Sequence, residues 1–379
     1  MGVFEIFFWC SLGMVAYAYF GYPVLLGLLS IGRKNEVSSI PFVPPVSLIL
    51  TVYNEGRVIK DKLQNISELQ YPKDLMQVIV VSDASTDGTD EIVRDFQASG
   101  LTLIRRPERR GKEACQAEAV EAAKGEILIF TDASVFMPSD AALNLVGNFA
   151  DPSVGCVSST DSTGSDATIS AGESLYVKYE MLLRELESRV GSLVGLSGSC
   201  FAARRQLCHG FSEGVPSDFV VMLNAVRKGL RGVSDPRVQA VYKTTTDPAK
   251  EFARKVRTVV RGMTGLWKNR DTLNPFRYGF FSIQLFSHKL GRWLVPFFLG
   301  VALIANGVLA MTSGFYRILL TLHVAFYLLA VLGVLSKPIR QIGIIKAASF
   351  FVMVNVSIAV SWWRFIRGER ILSWNPTRR

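Results

Sequence analysis

The sequence predicts an α/β domain built on a Rossmann-like mixed sheet and flanked by membrane-crossing helices. Three observations predict it. Residues 44–95 alternate short apolar, β-branched runs with helical spacing, the pattern of strands covered on both faces by helices. Those runs end in clustered polar groups, where open α/β sheets place their ligands. The apolar residues that raise the hydrophobic content to 49% of 379 residues gather at the two ends of the chain, in stretches long enough to span a bilayer.

Taken in order, residues 6–32 carry no charge and run into Arg33-Lys34. The stretch lacks a basic leader and a small-residue cleavage site, so it reads as an uncleaved span rather than a signal peptide. The basic pair puts residue 33 onward on the cytoplasmic side and the amino terminus outside. A Pro- and Ser-containing linker occupies 37–45. Strands are expected at 46–52, 77–81, 101–105, 126–131, 154–159 and 237–242. Helices are expected at 56–67, from 89, at 112–123, 139–149, 167–190 and 218–228. The helix at 167–190 interleaves aromatic residues with Lys178, Arg184 and Arg189. It suits the membrane interface, a place over an acceptor site, or a plain core-facing surface helix.

Residues 250–267 form a basic amphipathic helix, and 276–290 are aromatic-rich with little charge. Apolar runs come next at 293–314, 318–336 and 347–363, the last near the short limit for a span. The expected organisation is a span in 1–34, the α/β domain in 35–245, basic interfacial helices in 246–290, two or three spans in 291–366 and a basic tail in 367–379. Three late spans put the carboxyl terminus outside. Arg364, Arg367, Arg370, Arg378 and Arg379 argue for inside. A last segment that lies flat or re-enters is one resolution; a tail that breaks the rule is the other.

The net charge is +10. The basic residues cluster beside apolar segments rather than in an aromatic-basic stripe, which points to anionic lipid and away from nucleic acid. The five cysteines have neither C-x-x-C spacing nor a histidine partner at metal-ligand spacing, so they read as free thiols in a reducing compartment.

Thr51-Val52-Tyr53-Asn54-Glu55, then Val80-Val81-Ser82-Asp83-Ala84-Ser85-Thr86-Asp87-Gly88-Thr89, then Gly111-Lys112, Thr131-Asp132-Ala133-Ser134 and Pro216-Ser217-Asp218 together resemble the family 2 glycosyltransferases of the GT-A fold. The resemblance covers roughly 45–270. It implies a metal-dependent, inverting hexosyltransferase with a UDP-sugar donor. Donor contacts fall on Thr51, Tyr53, Glu55 and Asp83, with Asp83 accepting the N3 proton of uracil. Capping Asx turns and a solvated loop acid are the rival readings of Asp83 and Glu55. Asp87 is assigned to capping the helix that starts near Thr89. Lys112 reaches a phosphate from a helix amino terminus.

Asp132 is the implied ligand for Mg²⁺ or Mn²⁺. The family's Asp-x-Asp reads Asp132-Ala133-Ser134 here, so a hydroxyl replaces one carboxylate; these ions keep waters and use one or two carboxylates with substrate phosphates. Asp218 matches the catalytic base, with Ser217 in place of the usual Glu, and a helix N-cap is its competing role. Ser197-Gly198-Ser199 with Arg204 resembles the acceptor-side turn of membrane-embedded polysaccharide synthases, such as chitin-oligosaccharide, hyaluronan and poly-N-acetylglucosamine synthases. Their Gln-x-x-Arg-Trp is reduced to Arg257, flanked by Arg254 and Thr258. Arg257 can still hold a pyrophosphate; a lipid-facing basic helix is the other reading.

The implied activity is sugar transfer from a UDP-sugar to a growing β-linked polysaccharide or oligosaccharide. The alternatives are a single addition to a lipid-linked acceptor and a catalytically silent membrane scaffold. The implied location is the cell membrane, multi-pass, with the catalytic domain cytoplasmic. Partners are the donor, a glycan or lipid-linked acceptor and membrane lipids, with homo-oligomerisation as a way to complete a channel.

Overall fold

The computed structural model describes residues 2–33, 42–96, 100–162, 171–242, 248–340 and 342–369. Its centre is an eight-stranded mixed sheet. The strands are β1 (Val46–Val52), β2 (Met76–Ser82), β3 (Leu101–Arg105), β4 (Ile127–Asp132), β5 (Val135–Phe136), β6 (Val154–Ser162), β7 (Cys200–Arg204) and β8 (Arg231–Tyr242). Their order is β3-β2-β1-β4-β7-β6-β8-β5. β1 is parallel to both β2 and β4, and β3 is parallel to β2. β7 is antiparallel to β4 and β6. The chain therefore winds outward from β1 in both directions, and the carboxyl ends of β1, β2 and β4 meet at the switch point where such sheets bind ligands.

β1 is buried along its whole length, and β2 and β4 nearly so. Helices cover both faces, which is why these strands read as continuous apolar runs rather than alternating ones. Two strands were not expected. β5 is only two residues long. β7 is Cys-Phe-Ala-Ala-Arg, whose small residues give weak β signal on their own; pairing to β4 and β6 makes it a strand. Its Phe201 stacks on Phe130 of β4 with ring centroids 4.6 Å apart.

Among the described residues, four helices are long and apolar enough to cross a membrane: Val3–Ser30, Phe280–Ala310, Gly314–Leu335 and Gly343–Ile366. The aromatic stretch expected to lie apart at 276–290 instead runs largely into the second of these. The fourth is 24 residues long rather than the expected 17. The first and third start at the same end, far from the sheet, where Trp9 Nε1 donates to the Tyr316 hydroxyl (3.2 Å); the first reaches the domain at its other end, where Arg33 Nη1 donates to the Val190 carbonyl (2.8 Å).

The fourth helix behaves differently. Near its start Ser349 Oγ donates to the Ala330 carbonyl (2.9 Å). Near its end Ser361 Oγ donates to the Val256 carbonyl (3.3 Å) and Trp362 Nε1 to the Trp293 carbonyl (2.8 Å). Ala330 lies toward the sheet-proximal end of the third helix, and Val256 lies on the domain's basic helix, while Trp293 lies midway along the second. Both ends of Gly343–Ile366 thus contact the sheet-proximal side. The segment packs along the basic helix Pro248–Lys268. Arg370, Arg378 and Arg379 lie outside the described residues.

Candidate active site

The carboxyl end of β2 turns sharply. Ala84 takes a left-handed φ of 59°, uncommon for a residue with a Cβ. The turn aims Asp83 at the loop before helix Lys112–Ala122. Asp83 Oδ1 accepts the Arg110 backbone N–H and Oδ2 the Gly111 N–H, both at 2.8 Å. Gly111 holds φ at +94° there, a conformation glycine adopts without steric cost. Asp83 is therefore the clasp that presents Lys112, and it is 3% exposed.

The loop after β1 is knitted to the loop after β2. The Glu55 N–H donates to Thr89 Oγ1 (2.9 Å). Asp87 Oδ2 accepts the Gly56 N–H (2.9 Å) and its Oδ1 accepts the Thr89 N–H (3.2 Å). Burial pushes the Asp87 carboxyl up, but the hydrogen bonds from Thr89 and Gly56 win and hold it below its ordinary value. Gly88 is the N-cap of helix Thr89–Asp95, so Asp87 is not the cap; its carboxylate ties the two loops together instead. Tyr53 lies under the guanidinium of Arg109, 3.7 Å from the ring centroid. Thr51 is buried, and its hydroxyl has no hydrogen-bond partner among the described residues.

The chemistry-bearing residues meet around Gly198. Lys112 Nζ donates to Asp132 Oδ1 (2.5 Å) and to the Gly198 carbonyl (3.0 Å). The Asp132 N–H donates to the Ser199 carbonyl (3.1 Å). A Cβ added to Gly198 would lie 3.4 Å from Asp218 Oδ2, so the turn and that carboxylate are in van der Waals reach. Helix Ser217–Arg227 has Pro216 as its N-cap. Asp218 is therefore not the cap; it sits in the first turn, and its carboxylate makes no hydrogen bond or ion pair with the described residues. Ser217 Oγ donates to Gln116 Oε1 (2.5 Å), which ties this helix to the one carrying Lys112.

Asp132 closes β4, and Ala133-Ser134 form the turn into β5. Among the described residues no group of three His, Cys, Asp or Glu side chains is gathered to hold a metal. One carboxylate beside a hydroxyl offers hard oxygen donors. That set fits Mg²⁺ or Mn²⁺ shared with a diphosphate, not a closed protein cage.

Arg257 is half-buried on helix Pro248–Lys268 and has no hydrogen-bond or ion-pair partner among the described residues. Burial first, then the neighbouring Arg261 and Arg254, push its guanidinium below the ordinary value. One turn on, Arg261 pairs with Glu113, the residue after Lys112, so the basic helix is moored to the donor side.

Arg204 is a correction. It pairs with Ile127 at the opposite end of β4, while Cys200 pairs with Thr131 beside Asp132. Its guanidinium donates to the Val154 (2.8 Å) and Phe149 (3.0 Å) carbonyls. Four strand residues, roughly 13 Å, separate it from the Gly198 turn. The strand β7 that was not expected is the reason: a rigid strand carries its last residue away from the turn.

Two contributors were not expected. Asp161 Oδ1 accepts the hydroxyls of both Ser197 (2.5 Å) and Ser199 (2.7 Å), with Arg184 3.8 Å away. It fixes the turn whose carbonyls hold Lys112 and Asp132. Lys62 is fully buried, and its Nζ donates to Thr131 Oγ1 (3.0 Å) and the Val135 carbonyl (2.5 Å). It grips the β4–β5 turn from below, and burial pushes its ammonium down to about 8. A signal for Lys62 was present, since it shares the apolar spacing of Ile59, Leu63 and Ile66. Asp161 ends a polar strand and gave none.

Residues 47–210 match the family model described as Glycosyl transferase family 2. The glycosyltransferase AglE of Haloferax volcanii is 37% identical over 97 residues, 25% of this chain and 31% of that protein. The poly-beta-1,6-N-acetyl-D-glucosamine synthase of Staphylococcus epidermidis is 26% identical over 161 residues, 41% of this chain and 38% of that protein. The matches thus span well under half the length of these curated relatives. A solved structure matches over the whole chain: the mannosyltransferase PcManGT of Pyrobaculum calidifontis, in complex with GDP-Man and Mn²⁺, has a TM-score of 0.73 and 25% identity, covering 97% of this chain and 100% of that one.

Proposed function

Since residues 47–210 are a glycosyl transferase family 2 domain on a GT-A fold, we propose that this chain moves a sugar from a nucleotide sugar to a membrane-borne glycan acceptor, inverting the anomeric centre. The observation that carries this is the convergence of Lys112, Asp132 and Asp218 on one turn at the switch point of the sheet. Lys112 contributes a positive charge, from a helix amino terminus, for the leaving diphosphate. Asp218 stands open across Gly198 as the base.

In the step we assign, the acceptor hydroxyl gives its proton to the Asp218 carboxylate while its oxygen bonds to the anomeric carbon. The bond from that carbon to the diphosphate oxygen breaks, and the nucleoside diphosphate leaves with the electron pair. Asp132, with Ser134 beside it, would hold Mg²⁺ or Mn²⁺ against the diphosphate, which supplies Lewis-acid stabilisation of the leaving group. Arg257 approaches from the membrane side as a further phosphate contact.

A UDP-sugar is the first donor reading. GDP-mannose is the second, favoured by the whole-length likeness to the GDP-Man complex and by Asp83, whose carboxylate is engaged by the amides of residues 110 and 111. For the acceptor, a growing β-linked glycan is the first reading. A single addition to a lipid-linked acceptor is the second, favoured by Arg254 and Thr258 standing where polysaccharide synthases carry Gln and Trp. The open, unpaired Asp218 speaks against a silent scaffold.

We read the domain as lying on the cytoplasmic face of the cell membrane beneath three crossings. Gly343–Ile366 runs along the interface beside Pro248–Lys268. That course keeps Arg364 and Arg367 on the catalytic side, in accord with the positive-inside rule.

The test is nucleotide release from a panel of UDP-sugars and GDP-mannose, using the full chain in nanodiscs with Mn²⁺ or Mg²⁺ and Asp218→Asn as control. Release from one donor, lost in the variant, supports the reading and names the donor. Release that survives Asp218→Asn would remove the base assignment.

A further inference from the structure

Where the first membrane helix meets the catalytic domain there is a cavity of about 390 Å³. None of the residues placed in the transfer site lines it. One wall comes from the membrane helices, with Leu29 and Arg33 leaving the first and Phe280 and Gln284 entering the second. The other wall is domain backbone at 190–192 and the turn that carries Leu230 and Arg231. Its size is at the lower end of the range for small-ligand pockets, and its lining is mostly apolar.

Two polar features interrupt that lining. Gln284 is 1% exposed, and its Nε2 has no hydrogen-bond partner among the described residues. Buried amide donors are nearly always satisfied, so this one calls for an acceptor that enters the cavity. Arg33 lies exposed at the rim and spends Nη1 on the Val190 carbonyl. Arg231 is matched by Asp151 at 2.9 Å, which leaves Arg33 as the uncompensated charge. Among the described residues no carboxylate lines the cavity. An apolar slot at the bilayer boundary, with one spare cation at its mouth and one spare donor inside, complements an anionic phospholipid.

We propose that this cavity takes the head region and the first part of one acyl chain of an anionic phospholipid, whose remainder lies in the bilayer. That part of the acyl chain lies against Leu29, Leu230 and Phe280. The phosphodiester sits at Arg33, and a headgroup ester oxygen accepts the Gln284 Nε2–H. The lipid wedges between the first two membrane helices and the domain, so it steadies the junction that sets the height of the sheet above the bilayer. Such a role is independent of which sugar is transferred.

The full chain would be reconstituted in nanodiscs of phosphatidylcholine mixed with phosphatidylglycerol, and retained lipids counted by native mass spectrometry after release from the disc. We expect one retained phosphatidylglycerol, favoured over phosphatidylcholine by about fivefold, the contribution of one basic residue at an anionic surface. Arg33→Gln and Gln284→Glu should each bring that preference close to one. Gln284→Leu, which keeps the shape and fills the slot without a donor, should lower retention. Arg277→Gln, a basic residue outside the cavity, should change nothing. Nucleotide binding by calorimetry serves as the folding control and should be the same in all variants. Equal retention of the two lipids by the unaltered chain, or retention in the Gln284 variants equal to the unaltered chain, would overturn the proposal.

Discussion

Two of the charge clusters among the described residues are built in opposite ways. The first, around Gly198, is open. Lys112 and Asp132 are 13% and 24% exposed at their side chains, and Asp218 makes no hydrogen bond or ion pair with the described residues. The second lies where helix Ala171–Val190 meets the membrane helices, and it is closed. Glu187 accepts from the Tyr22 hydroxyl (2.7 Å) and bonds His288 Nδ1 (2.6 Å). Glu180 pairs with Arg292 at 2.5 Å and bonds His288 Nε2 at 3.3 Å. The Tyr176 hydroxyl takes a further donor of Arg292 (2.9 Å).

Matched, buried charges fix one arrangement of helices and leave nothing to react. An unmatched carboxylate beside a partly solvated ion pair is ready for a proton and a phosphate. The difference separates what fastens this molecule to its spans from what would turn substrate over.

That contrast can be broken, and the largest effect is expected in the closed cluster. Glu187→Ala strips His288 and Tyr22 of their shared acceptor and should cost about 3–5 kcal/mol, as for other broken buried pairs. Denaturant unfolding in detergent measures it. A cost below about 1 kcal/mol would mean the cluster is solvated after all. Next in size, Asp218→Asn should lower turnover by about 100-fold or more while nucleotide affinity stays the same; single-turnover kinetics with calorimetry separates the two.

Asp161→Ala leaves two seryl hydroxyls without their acceptor and frees the Gly198 turn. Turnover should fall about tenfold, with a weaker apparent metal affinity, because Asp132 is held through the Ser199 carbonyl. A loss of turnover at unchanged metal dependence would place Asp161 outside the site's geometry. The tenfold figure corresponds to ~1.4 kcal/mol, within the usual cost of an unsatisfied buried group.

The last effect is a pH dependence, small per pH unit. The folded Lys62 ammonium is pushed down to about 8 from an ordinary value of 10.5, so between those limits the unfolded chain binds more protons than the folded one. Stability contributed by this group should therefore rise with pH across that window, by at most about 1.4 kcal/mol per unit. Below it the buried charge is simply a cost. Unfolding measured from pH 7 to 10 in the unaltered chain and Lys62→Met should diverge only there. Parallel curves would show that Lys62 is not a titrating group.

Much of the open cluster is legible in the sequence, because its members sit at strand ends and helix starts where short motifs keep their spacing. Asp83, Lys112, Asp132 and Asp218 are all motif residues, and the structure brings Lys112, Asp132 and Asp218 together. The Asp83 carboxylate accepts the amides of residues 110 and 111, which present Lys112. Arg204 lies away from the turn because β7, with its weak local signal, is a strand. The closed cluster could not be anticipated at all. Tyr22, Glu180, Glu187 and His288 come from three segments separated by 101 to 165 residues, and no local pattern links them.

The sequence by itself determined the α/β class, the wound strands around β1, the apolar ends and the motif residues, since periodicity and turn chemistry are local properties of the chain. Only the tertiary structure decided that Asp161 and Lys62 brace the site, that Arg204 faces away, and that Gly343–Ile366 returns along the basic helix. The physical reason is one and the same. Each depends on which distant backbone a residue is packed against, and a hydrogen bond or ion pair across the sheet leaves no periodic trace in either of the segments it joins.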